Sequence, residues 1–114
     1  MRMRGRLALS ASALLLLPMP ASPPAAAQGL ARSERVAAGR AVAEGWCANC
    51  HVVGPEAGGH ASDAAPPFAA VARMPSATEM SLRAFLRTPH ARMPDCRLSQ
   101  AELDGVVAYI LSLR

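Results

Sequence analysis

At 114 residues, with 12 Lys and Arg against 8 Asp and Glu for a net charge of +4, the chain has material for one small domain. Two Phe, one Trp and one Tyr supply few aromatic faces. The arginines are scattered, so the basic, aromatic surface that nucleic acid requires is not formed.

The first element reads as a leader. Arg2, Arg4 and Arg6 precede an uncharged run over 7–17, Pro18 and Pro20 break it, and Ala25-Ala26-Ala27 offers a small-x-small cleavage site. An eleven-residue run is too short for the roughly 20 residues that span hydrocarbon. The expected organisation is therefore a signal peptide over 1–27 and one domain over 28–114, exported across the inner membrane to the periplasm. Loss of the three leader arginines leaves nine basic residues against eight acidic ones, a nearly neutral domain.

The spacing of Val36, Gly39 or Arg40, and Ala43 predicts a first helix over 33–45. Its small residues Ala37, Ala38, Gly39, Ala41 and Ala43 suit close approach of another helix, and Trp46 follows where it ends. The stretch 52–67 carries Gly54-Pro55, Gly58-Gly59 and Pro66-Pro67 and reads as irregular. Phe68 to Arg73 reads as one or two helical turns, stopped by Pro75. A helix over 76–87 follows, with Leu82, Phe85 and Leu86 as its apolar face, Ser76 and Glu79 as a capping box with Ser81 a competing start, and Pro89 forbidding continuation. The last helix opens on the Ser99/Glu102 capping box and carries Leu103, Val106, Val107, Ile110 and Leu113 as one stripe. No strand-like alternation of useful length and no internal repeat appears, so the expected class is all-α.

Cys47-Ala48-Asn49-Cys50-His51 has the C-x-x-C-H spacing of c-type haem attachment. Two thiols three positions apart each add to one vinyl group of a single haem, and the adjacent imidazole is held beneath the iron. Three other readings compete. A thioredoxin-like C-x-x-C needs a βαβ surround, which is missing; a zinc site needs four ligands, which Cys96 or a distant histidine would have to complete; a short-range disulfide needs only the two cysteines. Haem is the favoured reading, one per chain. In a domain of about 87 residues a large apolar cofactor also supplies core that the chain lacks, so the haem-free chain is expected to fold poorly.

A sixth iron ligand has to come from the later half. Met80 shares a helix with Leu82 and Phe85 and reads as packing or helix surface; Met74 ends a short turn. Met93 lies between Pro89 and Pro94, in a constrained connection between helices where Pro94 biases it away from helix. Met93 is favoured and His90 is its rival. Cys96 is the odd cysteine, read as a small buried hydrophobe in competition with an exposed thiol. Arg73 and Arg92 are candidates for propionate pairing, or equally solvated surface residues.

These features resemble a small class I cytochrome c. They include Gly39 with Ala43, the Cys47–His51 motif, Ala65-Pro66-Pro67-Phe68, the run from Phe85 to Pro94, and Val107-Ala108-Tyr109-Ile110-Leu111. The resemblance implies a cytochrome c fold of three to four helices with the first and last crossing at Gly39 and Tyr109 packing nearby. It further implies His51 and Met93 as axial ligands, with the Pro66 carbonyl accepting from the His51 ring. Electrons would enter and leave at the haem edge beside Cys47. The loop over 52–65 has no clear counterpart.

The expected function is one-electron transfer between periplasmic or membrane redox partners, a dehydrogenase or a respiratory complex, without catalysis: two axial ligands close the iron to substrates, and no catalytic constellation occurs. The alternatives are the cytochrome subunit of a periplasmic dehydrogenase complex and a haem-based gas sensor in which Met93 is displaced.

Overall fold

A computed structural model of the chain describes residues 21–54, 65–89 and 93–114. These form four helices, α1 (Ala25–Trp46), α2 (Phe68–Arg73), α3 (Glu79–Arg87) and α4 (Gln100–Leu111), and no strand occurs among the described residues. The all-α expectation is met. No helix among them is long and apolar enough to cross a membrane, and residues 1–20, where most of the leader is expected, lie outside the described part.

The centre of the fold is α4. The other three helices each pack on it and, among the described residues, none packs on another. Its residues Leu103, Gly105, Val106, Val107, Tyr109 and Ile110 are all buried, so it is apolar around most of its circumference, as a helix surrounded by others must be. Leu113 lies just beyond its end, only partly buried. The Ser99 capping box forms as expected: the Glu102 N–H donates to Ser99 Oγ at 3.3 Å and the Ser99 N–H to the Glu102 carboxylate at 2.8 Å. Those bonds to Ser99 hold the Glu102 carboxyl below its ordinary range.

α1 begins eight residues before the expected Ser33, because the alanines from Ala25 lose little on becoming helical after Pro24. Residues 25–35 are exposed throughout. The face toward α4 starts at half-buried Val36 and continues through Gly39 and Ala43, both buried, at intervals of three and four. There the two backbones meet. A Cβ on Gly39 would lie 1.9 Å from the Gly105 carbonyl oxygen, whereas one on Gly105 would lie 3.0 Å from the backbone of Gly39. The first and last helices thus cross at Gly39 against Gly105.

α3 departs from expectation at both its start and its face. Its cap is Thr78, not Ser76: Thr78 Oγ1 accepts from the Ser81 N–H at 3.1 Å and Ser81 Oγ accepts from the Thr78 N–H at 2.9 Å. The Ala77 N–H closes a turn onto the Met74 carbonyl at 3.0 Å and Ala77 is buried, so the chain cannot turn helical before Thr78. Leu82 is buried and Leu86 half-buried against the core, but Phe85 is 54% exposed. A helix that packs on one neighbour alone buries a narrow stripe, and Phe85 falls beside it. Arg83 ties α3 to α4 through Asp104 and pairs with Glu79 at 2.8 Å. The C-terminal Arg114 reaches back to the carbonyls of Ala72 and Ala77.

Candidate haem site

The C-x-x-C-H motif is the continuation of α1. The N–H groups of Cys47 and Ala48 both donate to the Ala43 carbonyl, at 2.9 and 3.1 Å, and those of Cys50 and His51 to the Cys47 carbonyl, at 3.1 and 2.9 Å. The motif is thus wound as one tight turn, with His51 one helical turn beyond Cys47. Cys47, Cys50 and Cys96 are all thiols, none joined in a disulfide. Cys47 is half-buried and Cys50 exposed; burial, with Cys96 nearby as a lesser cause, pushes the Cys47 thiol up to about 11. Among the described residues no set of three His, Cys, Asp or Glu groups gathers to hold a metal ion. Cys47, Cys50, His51 and Cys96 therefore do not close around a zinc.

The His51 ring is fixed from two sides. Its Nδ1 lies 2.7 Å from the Pro66 carbonyl oxygen. A carbonyl only accepts, so Nδ1 carries a proton and donates, and in the neutral imidazole Nε2 is then the nitrogen with the lone pair. The Phe68 ring packs beside the imidazole, with centroids 5.2 Å apart and planes inclined at 54°.

The backbone after His51 is equally constrained. The Phe68 N–H donates to the Val52 carbonyl at 2.9 Å, and the Tyr109 hydroxyl donates to the Val53 carbonyl at 2.7 Å. Both valines and Tyr109 are buried, and burial holds the Tyr109 hydroxyl above its ordinary range, protonated and donating. The contacts of Phe68 and Val53 in this region, and of Gly105 with Gly39 on α1, go beyond the expectations drawn from sequence. Their signals are faint: Phe68 stands two residues after Pro66, and Gly105 is an otherwise costly glycine inside a helix.

Met93 is half-buried where the chain turns toward α4. Beyond it the N–H of Cys96 donates to the Pro94 carbonyl at 2.9 Å and that of Leu98 to the Cys96 carbonyl at 2.6 Å. Cys96 is half-buried in a groove with Leu86, Leu98 and Leu103, between the two environments weighed for it. Of the other methionines, Met80 is 80% and Met74 44% exposed. His60, His90 and Arg92 lie outside the described residues, and Arg73 is exposed.

The donor set suits haem c. Two thiols and an imidazole with a bare Nε2 lie on one turn, and a thioether stands in the later half of the chain. The protein core is thin, with Phe68 and Tyr109 as its buried aromatics while Trp46 and Phe85 stay exposed.

Residues 34–110 match the family described as cytochrome c oxidase, cbb3-type, subunit III. The chain belongs to this family of c-type cytochromes. The cytochrome is also similar to cytochrome c-552 of Bradyrhizobium diazoefficiens, at 46% identity over 78 residues, 67% of this chain and 72% of that protein. No solved structure matches it. It is a small monohaem cytochrome whose cofactor is covalent haem c and whose function is to carry electrons. Cys47 and Cys50 have the spacing that attachment requires.

Proposed function

We propose that the haem of this cytochrome is attached through Cys47 and Cys50, that His51 Nε2 is its proximal ligand and Met93 its sixth, and that the protein transfers electrons without catalysing a reaction. The observation that carries the reading is the 2.7 Å contact of His51 Nδ1 with the Pro66 carbonyl. It assigns the proton to the nitrogen facing the protein and leaves the other open to a metal. It also makes the imidazole a stronger donor, since the carbonyl draws on its N–H. Bound there, haem c supplies one iron that gains and loses a single electron. The surface positions of Met74 and Met80 support Met93 as the thioether ligand, as does the restraint that Pro94 places on it. An imidazole and a thioether together leave no position for a substrate, which is why the chemistry stops at electron gain and loss.

The leader pattern supports a periplasmic location, where a dehydrogenase or a respiratory complex would be the redox partner. The name of the matched family, a subunit of an oxidase, supports a docked role beside that of a free shuttle. Co-purification with a larger subunit separates the two.

The test is Met93→Ala. The haem should stay covalently bound by mass, and the thioether-to-iron band at the red end of the ferric spectrum should vanish. If His90→Ala abolishes that band and Met93→Ala does not, the sixth ligand is wrongly assigned.

A further inference from the structure

His51, Val52 and Val53 are held by groups from two parts of the chain. Pro66 and Phe68, at the entry to α2, take the His51 ring and the Val52 carbonyl at 2.7 and 2.9 Å. The remaining hold comes from α4, where Tyr109 Oη donates to the Val53 carbonyl at 2.7 Å across 56 residues of sequence. Tyr109 is 4% and Val53 8% exposed, so the bond is made out of water, where an unpaired carbonyl is costly and the geometry correspondingly strict. Tyr109 also lines a surface cavity together with Val36 and Arg40 of α1. One side chain therefore faces α1 across that cavity, belongs to α4, and anchors the backbone two residues after the histidine.

We propose that Tyr109 is a positioning residue for the haem: through the Val53 carbonyl it sets how closely the His51 ring approaches Pro66, and so couples the docking of α1 on α4 to the donor strength of the proximal ligand. The inference rests on His51 being that ligand. Its physical basis is the shortness of the path. Val53 cannot shift without drawing on Val52 and the His51 backbone, and a shift there lengthens the Nδ1–H···O contact whose polarisation tunes the imidazole. Deleting the hydroxyl while keeping the ring isolates this effect, since the place of the ring in the core is kept by phenylalanine.

The experiment uses the haem-loaded protein in its reduced state and compares wild type, Tyr109→Phe and Val107→Ala. Val107 is buried in the same helix, and its truncation weakens the core without removing the bond. The ring-current-shifted His51 protons, the chemical shift of its Nδ1–H and the exchange rate of that proton are recorded for each. Tyr109→Phe should shift the Nδ1–H resonance and speed its exchange relative to the buried amides of α4, whereas Val107→Ala should leave both at their wild-type values. Tyr109→Phe matching wild type in both, or Val107→Ala moving them equally, overturns the coupling while His51 remains the ligand. Absence of shifted His51 signals in the wild-type protein overturns the ligand assignment and this inference with it.

Discussion

The crossing of α1 and α4 supports a sharp and asymmetric prediction. A Cβ at Gly39 would lie 1.9 Å from the Gly105 carbonyl oxygen and 2.1 Å from its carbon, both main-chain atoms that no rotamer change can move. Reaching even 3.0 Å requires the helices to part by about 1 Å, and a gap of that size forfeits a quarter to a half of the dispersion energy of the contacts it opens. Overpacking of this kind costs about 1–3 kcal/mol or more, against which Ala gains about 1 kcal/mol over Gly in a helix. Because α1·α4 is the most extensive helix pair in the fold, the upper part of that range applies, and Gly39→Ala should lose about 2 kcal/mol net. At about 4–8 °C per kcal/mol for a domain of this size, Tm should fall by roughly 10–15 °C. Gly105→Ala meets Gly39 at 3.0 Å and needs only tenths of an ångström, so the propensity gain should bring it within about 1 kcal/mol of wild type. Thermal unfolding of the ferric holoproteins, followed by helical circular dichroism, measures both. Gly105→Ala proving as damaging as Gly39→Ala would refute the reasoning, since the direction of the missing Cβ would then be irrelevant.

Other perturbations address other links. Ser99→Ala removes the acceptor for the Glu102 N–H and should cost about 1 kcal/mol, read from denaturant unfolding. The Asp104 carboxyl is held below its ordinary range by its bond to Arg83. A depressed value contributes stability above the unfolded carboxylate range near about 4 and loses it as pH falls through the folded value. Asp104→Asn should therefore unfold at lower temperature than wild type at pH 7, with the gap closing as the medium is acidified below that range. Cys47 and Cys50 replaced together by Ala should yield a chain whose mass lacks haem and whose circular dichroism is largely that of an unfolded protein; a native spectrum would count against the cofactor as part of the core.

Elements with local signals are legible in the sequence. The Cys47–His51 motif, the Ser99/Glu102 box and the stop at Pro89 are each written within a few adjacent residues, because vinyl attachment, capping and loss of an N–H depend on immediate neighbours. The same locality explains the error at α3. A Thr-x-x-Ser box is chemically equivalent to the Ser-x-x-Glu pattern, but the choice between Ser76 and Thr78 turns on Ala77 being drawn into the core, which no local pattern records. Phe85 fails for a related reason. Helical periodicity places it on the apolar side, yet how wide a stripe is buried depends on how many neighbours α3 has, and among the described residues it has one.

The chemistry of this cytochrome is therefore set by its sequence alone: two thiols and an imidazole at fixed spacing, on a chain whose last helix is marked by its own cap. Only the tertiary structure decided how those groups are held. Gly39 needs Gly105, His51 needs Phe68 beside the Pro66 carbonyl that the resemblance already implied, and Val53 needs Tyr109. Each pair joins residues from different elements, so their contact depends on how the helices dock on α4, a balance of packing over the whole core that no short segment encodes.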